Sequence, residues 1–432
     1  MRNSLILRFS LYIFTFSLTA LVGLETSFGQ SGQLLQKNIN VNGVARDYLV
    51  YLPASFDGTV SLPVMISYHG GSGSAQQWIN YVDFRPLAEA NNFIAVYPNG
   101  LPDPGFPQGG RIWNSVGPYD NGNDDIGFTS AMIDKLYNDY AIDQSRVYAC
   151  GYSNGGNICW ELAAFLSDKV AAIGPVAGSM WTWTETLATP TRSVPIISIH
   201  GTLDFYNPWD GGPPYSLGLV GANEYWAGNN NANLSPTITP IPNTNANDGS
   251  TVEKYVWGGG NDCVALEHYK VIGGGHDWPG KPGANRDINA TELIWEFCSQ
   301  YSLNGKDCIS KLGVGAGGAN IATLNSASTP TLGSSIQLDF SGFNGTSNGF
   351  IALSLRKSTR YFLGGTVFPD INNLFSQIPV NADANGDGSI SFTIGNNPSL
   401  LGLTAYSQVA LRDANQSNGW AFSNGLAVTI YN

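Results

Sequence analysis

Between residues 44 and 200 the chain repeats one pattern: a short apolar run, a turn rich in glycine, then a longer stretch with helical spacing. Residues 44–53 alternate apolar and polar side chains and stop at Pro53, as a strand does. Residues 62–68, 93–98, 146–150, 170–178 and 194–200 are almost continuously apolar, the composition of strands buried on both faces of a parallel sheet. Helical spacing predicts helices over 76–91, from about 128 to 140, and over 157–166. Strands alternating with helices predict an α/β fold with a mostly parallel sheet, whose ligand-binding loops gather at the carboxyl ends of the strands. Beyond residue 320 the pattern changes to short alternating runs, such as Ile336, Leu338 and Phe340, then Ile390, Phe392 and Ile394, then Leu426, Val428 and Ile430. Turn residues separate them, which predicts a small antiparallel β-sandwich.

Gly151, Tyr152, Ser153, Asn154, Gly155 and Gly156 fall between a predicted strand and a predicted helix. That order is what a nucleophile elbow needs: the serine stands on a strained turn with its hydroxyl exposed, and its neighbours are small because strand and helix pass closely. The motif needs a control, because the chain holds 52 glycines. A second G-x-S-x-G does occur at residues 345–349, between two strand-like runs and after every histidine, so Ser347 reads as a residue of a hairpin turn and Ser153 as the nucleophile.

A serine nucleophile needs a base and an acid, which in this kind of chain follow it in the order acid, then histidine. Only four histidines are present. His69 and His200 precede glycines at strand ends, His69 ahead of the serine. His268 sits within a strand-like run, where it reads as packed. His276 follows three glycines just beyond that run, where a loop can present it as the base. Asp204, shortly after the predicted strand ending at His200, is the expected acid; Asp210 competes, and Asp277 adjoins the base but points away from it.

His69, Gly70, Gly71, Ser72, Gly73 and Ser74 form a glycine-rich loop at a strand end, able to turn backbone amides toward an anion. The oxyanion donors expected are the amides of Gly71 and Asn154. A long loop with Trp113 and Asn114 ends in Asp124 and Asp125, which read as a helix cap and a structural hydrogen bond; no metal site is expected, and no cofactor.

Charged residues make up 12% and the formal net charge is −12, which argues against nucleic acid or an anionic membrane surface as partner. Arg2 and Arg8 precede an uncharged apolar run from Phe9 to Leu24, then Ser27 and Gly29, the pattern of a secretory signal peptide. Export makes disulfides possible, and with five cysteines at most two form. Cys150 and Cys159 read as buried filler, and Cys298 paired with Cys263 or Cys308 is the preferred bridge.

Several pieces in order resemble one family: Tyr68 to Gly71, Tyr97 to Gly100, Trp113 with Asn114, Asp124 to Phe128, Gly151 to Gly156, His200 to Asp204, and Gly273 to Gly280. They resemble the secreted poly(3-hydroxybutyrate) depolymerase-like esterases, which overlap with feruloyl and acetylxylan esterases of carbohydrate esterase family one. The resemblance implies an α/β-hydrolase fold, the triad Ser153, Asp204 and His276, and a role for Trp278 in shaping the pocket. The division expected is a signal peptide (1–29), an α/β-hydrolase catalytic domain (30–311), a glycine-rich linker (312–320) and a β-sandwich-like accessory domain (321–432).

The activity expected is that of a secreted serine carboxylic-ester hydrolase, acting on an ester-bearing polymer or oligomer and free of the membrane after signal cleavage. Trp113, Trp181 and Trp278, with Trp183 and Trp209, lie on loops expected to border Ser153, where flat apolar rings suit aromatic or sugar substrates. Feruloyl or acetyl esters of plant polysaccharide are therefore favoured over a polyhydroxyalkanoate. The alternative is a catalytically inactive hydrolase fold used as a secreted binding or adhesion module. Asp383 to Gly388 imitates the start of a calcium loop, but the twelfth position is Ile394 where a carboxylate is required, so a plain hairpin loop is expected.

Overall fold

A computed structural model describes residues 32–103, 110–115, 122–306, 308–316, 321–326, 328–363 and 365–431. The predicted signal peptide lies outside them. The strands up to residue 272 are β1 (Gln33–Val41), β2 (Val44–Leu52), β3 (Val64–Tyr68), β4 (Ile94–Pro98), β5 (Leu101–Pro102), β6 (Arg111–Ile112), β7 (Val147–Tyr152), β8 (Ala172–Val176), β9 (Ile196–Gly201), β10 (Thr237–Ile241), β11 (Thr251–Trp257) and β12 (Leu266–Ile272). Ten of them form one sheet in the order β1-β2-β4-β3-β7-β8-β9-β12-β11-β10, and β5 and β6 pair separately. From β4 to β12 all neighbours are parallel. Antiparallel hairpins close both edges. The sheet is thus mixed, with a parallel centre.

The helices are α1 (Ala75–Tyr81), α2 (Arg85–Asn91), α3 (Asp125–Tyr140), α4 (Asn154–Phe165), α5 (Thr182–Leu187), α6 (Leu219–Asn229) and α7 (Ala290–Cys298). One face of the sheet packs on α3, α4 and α6 through Phe128, Met132, Ile158, Leu162 and Trp226. The other packs on α1, α2 and α7 through Trp78, Ala88, Ile294 and Trp295. Side chains of one strand divide between the two: Val64 and Ile66 join the first core and Met65 the second, which is why these strands read as unbroken apolar runs. With the strand-turn-helix at Ser153, this is the α/β-hydrolase arrangement.

One expected helix is divided, two edge strands carry no signal in the sequence, and the expected roles of Asp124 and Asp125 hold. The single helix expected over 76–91 is two, because Pro86 lacks an N–H and is accommodated in the first turn of α2. The edge strands β1 and β10 are largely exposed and polar, so they carry no apolar run to reveal them. Asp124 caps α3 by accepting the Gly127 amide at 2.7 Å, and Asp125 is buried in an ion pair with Arg46.

The carboxyl-terminal strands are β13 (Ile309–Leu312), β14 (Thr323–Asn325), β15 (Ser335–Ser341), β16 (Ser347–Ser354), β17 (Lys357–Phe362), β18 (Gly365–Pro369), β19 (Leu374–Ala382), β20 (Gly388–Thr393), β21 (Thr404–Arg412), β22 (Trp420–Phe422) and β23 (Gly425–Thr429). A sheet of β13-β23-β21-β16-β19, with β22 on β21, and a second of β14-β15-β20 are antiparallel throughout. They share one core in which Ile336, Leu338 and Phe340 of β15 meet Val409 and Leu411 of β21.

Both predicted hairpins here are corrected. Ser347 starts β16, and β15 before it belongs to the other sheet. Residues 383–387 likewise carry the chain from β19 in one sheet to β20 in the other, and the Asp383 carboxylate accepts the amides of Asn385 at 2.8 Å and Asp387 at 3.1 Å. The glycine-rich stretch predicted as a linker follows β13, which already pairs with β23, so its described part runs within the β region; residues 317–320 lie outside the described residues.

The expected disulfide is also corrected. Cys263 bridges Cys308, while Cys298 is free and buried on α7 among Ile294 and Phe297. Cys150 and Cys159 are free and buried, as filler.

Candidate active site

Four adjacent parallel strands, β7, β8, β9 and β12, end at one edge of the sheet, and the loops that leave them meet there. Ser153 follows β7 directly, with φ of 55°, a left-handed backbone that a side chain adopts only when its surroundings force it. The forcing comes from the flanking glycines. A Cβ on Gly155 would lie 2.4 Å from the Tyr68 carbonyl oxygen and 2.5 Å from that of His69, and one on Gly151 would lie 2.1 Å from the Gly155 carbonyl oxygen. Because those neighbours are backbone, Gly155→Ala is expected to destabilise the protein by about 1–3 kcal/mol, read as a lower midpoint in thermal denaturation. An unchanged midpoint would show that α4 can move off the sheet freely.

Asp204 lies three residues past β9 and is 5% exposed. Its Oδ1 accepts the amides of Tyr206 at 2.9 Å and Asn207 at 2.8 Å, which orients the carboxylate. Its Oδ2 faces His276 Nδ1 at 2.7 Å and buried His200 Nε2 at 3.3 Å. Burial alone would raise the Asp204 carboxyl, but the hydrogen bonds of His200, His276 and the Asn207 amide outweigh it and hold the group well below the usual carboxylate range. An ionised acceptor at Oδ2 requires His276 to carry its proton on Nδ1, which leaves Nε2 free to take another.

His276 follows β12, in the loop opened by Gly273 at φ of 81°. Tyr152, the elbow residue before Ser153, sets its position: the tyrosine hydroxyl donates to the His276 carbonyl at 2.6 Å, and the two rings lie 4.9 Å apart. No hydrogen bond joins Ser153 to His276 among the described residues. Bonds of this type are often long until substrate is present.

The other three histidines are built into the fold. His69 Nε2 accepts the Gly100 amide at 3.0 Å and Nδ1 donates to the Gly70 carbonyl at 2.7 Å, while burial pulls its pKa down to about 4, so the ring is neutral. His268 is buried against the Ser198 hydroxyl, and burial takes it down to about 3. His200 Nε2 lies 2.7 Å from the Asn207 carbonyl besides its contact with Asp204, so it fastens the loop that carries the acid.

The Gly70–Gly71 loop passes against the elbow: a Cβ on Gly70 would be 3.4 Å from Ser153 Cβ. Neither the Gly71 nor the Asn154 amide is engaged by an acceptor among the described residues, and Asn154 is the first residue of α4, where amides lack helical partners.

Two of the three tryptophans expected at the substrate surface are corrected. Trp113 and Trp278 are both fully buried. Trp113 instead ties the two amide-bearing segments together: its Nε1 donates to the His69 carbonyl at 2.8 Å, its amide to Asn154 Oδ1 at 2.7 Å, and its ring packs on His69. Trp278 donates to Thr291 Oγ1 and meets Trp78 edge-on, and Trp78 stacks on Tyr152 beneath His276. Trp181 is half-buried at the start of α5, bridged to Ser216. Trp183 stacks on Phe165, and Trp209 lies against His268.

The residues that sequence reasoning missed are Tyr152, His200 in its contact with Asp204, and Phe205 and Tyr206. The last two are 87% and 76% exposed beside the buried acid. Among the described residues no cluster of His, Cys, Asp and Glu is arranged to hold a metal, and no helix is long and apolar enough to cross a membrane.

No protein-family profile matches the chain. It is similar to a bifunctional acetylxylan esterase/xylanase of Neocallimastix patriciarum, 28% identical over 283 residues that cover 66% of this chain and 37% of that protein. It is 29% identical to feruloyl esterase B of Piromyces equi over 271 residues, 60% of this chain and 46% of the relative. The chain thus spans less than half the length of these two. A probable feruloyl esterase C of Aspergillus niger is 24% identical over 295 residues, covering 66% of this chain and 97% of its own length. Among solved structures, an acetyl xylan esterase from Aspergillus awamori has a TM-score of 0.45 and 17% identity, covering 61% of this chain and 99% of its own. The chain is a homologue of proteins named acetylxylan esterase and feruloyl esterase.

Proposed function

We propose that the chain is a secreted serine carboxylic-ester hydrolase acting on hydroxycinnamoyl or acetyl esters of plant polysaccharide. The observation that carries this reading is the 2.7 Å contact between His276 Nδ1 and an ionised Asp204, made beside a serine held at φ of 55°. Ser153 Oγ attacks the ester carbonyl carbon and its proton passes to His276 Nε2. The amides of Gly71 and Asn154 hold the oxyanion, and Asp204 stabilises the imidazolium. Collapse breaks the carbon–oxygen bond to the alcohol, which leaves with the proton from Nε2. Water then attacks the acyl-serine, gives its proton to Nε2, and the carboxylic acid departs as the proton returns to Ser153.

The acid or acetyl half of the substrate is favoured over a polyester by the relatives' names. Side-by-side assay of methyl ferulate, acetylated xylan and a poly(3-hydroxybutyrate) film tests it. Release of ferulate or acetate is expected. Clearing of the film without either product would move the substrate to the polyester and leave the three residue roles intact.

A further inference from the structure

We propose that Leu203, Phe205 and Tyr206 form an apolar platform on which the sugar chain lies while its ester is held at Ser153, an inference that rests on the esterase reading above. Asp204 is 5% exposed, yet Leu203 before it is 69% exposed and Phe205 and Tyr206 after it are 87% and 76% exposed. Large apolar side chains at such exposure, side by side, mark an interaction surface rather than ordinary scatter.

The backbone that carries them is tied down on every side. The Leu203 amide donates to the Gly274 carbonyl at 2.8 Å and the Thr202 amide to the Val271 carbonyl at 2.9 Å. The Tyr206 and Asn207 amides donate to Asp204, and the Asn207 side chain donates to the Ala177 carbonyl at 2.7 Å. Such a loop cannot fold its rings back into the core, so it presents them in a fixed place, and a partner loses little binding energy to ordering it.

The platform begins at the base. The Tyr206 ring centre is 5.0 Å from that of His276, and Phe205 continues outward from Tyr206 at 5.9 Å, edge to face. Whatever lies on it is therefore next to the reacting atoms. That continuity favours substrate over a second copy of the chain, which would cover His276. Leu203, Phe205 and Tyr206 carry no charge and the Asp204 carboxylate points inward, so the platform itself presents apolar faces and no ionic contact. Sugar rings offer flat C–H faces to aromatic rings while their hydroxyls stay in water, and a polysaccharide supplies several in a row.

The test uses the full chain with Phe205→Ala and Phe205→Tyr. On methyl ferulate both variants are expected to match the unsubstituted protein within about twofold, since Phe205 takes no part in the chemistry. On feruloylated arabinoxylan, Phe205→Ala is expected to lose about tenfold in kcat/KM through KM, as one aromatic face is removed, and Phe205→Tyr to retain the rate. Retention on ester-free xylan should fall in step, a readout independent of turnover. Equal rates for Phe205→Ala and the unsubstituted protein on the polymer would overturn the platform. So would light scattering that shows a dimer dissociated by Phe205→Ala with polymer cleavage unchanged. Failure of the unsubstituted protein on methyl ferulate and acetylated xylan alike would instead remove the esterase reading, and xylan retention would still report on the surface.

Discussion

Ser153→Ala is expected to lower kcat on a chromogenic acetyl ester by about 10⁵-fold or more, because in the proposed mechanism loss of the nucleophile leaves only binding and oxyanion stabilisation. The strained turn makes the loss hard to bypass. The other hydroxyl on the elbow, that of Tyr152, is engaged with the His276 carbonyl at 2.6 Å and so does not stand in for that of Ser153. The substitution itself removes one oxygen and leaves the elbow's backbone contacts in place, among them the Ser153 amide on the Val176 carbonyl at 3.0 Å. Folding should therefore survive, and circular dichroism checks it. The initial burst of alcohol that marks an acyl-enzyme should vanish with turnover. A variant that keeps a tenth of the original rate would remove Ser153 from the role.

The second large effect is expected from Asp204→Asn, about 10⁴-fold in kcat with KM little changed. The amides of Tyr206 and Asn207 both point at Oδ1, so the new side chain must keep its oxygen there and turn its NH₂ toward His276. An NH₂ group donates, so His276 Nδ1 must accept, and its proton moves to Nε2, where it blocks the transfer from Ser153. Nitrogen NMR of the imidazole reads that tautomer directly; a proton still on Nδ1 together with full activity would defeat the argument. Stability carries its own sign. The folded carboxyl is held below its unfolded value, so the associated stabilisation is present above the unfolded pKa and is lost as pH falls through the folded one.

What was legible in the sequence follows from how local each feature is. The parallel centre of the sheet showed itself because Val64, Met65 and Ile66 are buried on both faces and cannot alternate with polar residues. The elbow showed itself because Gly151, Tyr152, Ser153, Asn154 and Gly155 are neighbours in the chain. The meeting of His276 with Asp204 followed from two strand ends on one side of a parallel sheet, where chain order stands in for position.

Distances across the fold left no such trace. A tryptophan beneath a loop and one above it have the same sequence, and only the contacts of Trp113 with His69 and of Trp278 with Trp78 tell that both are underneath. Phe205 and Tyr206 gave no signal of their own, because the exposure of an aromatic pair is set by how the loop is tied around Asp204. Cys298 looked as available for pairing as Cys263 and Cys308 until α7 placed it against Ile294 and Phe297.

The bridge from Cys263 to Cys308 makes a covalent hoop with a sequence separation of 45, and the hoop encloses β12, His276 and α7. Ser153 and Asp204 are outside it. In the unfolded chain such a hoop restricts this one segment, worth about 4 kcal/mol in the chain-entropy picture. Of Ser153, Asp204 and His276, His276 is thus the one that rides on an independently tethered stretch. A proteolytic cut between Cys263 and His276 leaves His276 joined to the fragment that carries Ser153 and Asp204 by sulfur alone, whereas the same cut in reduced protein severs them.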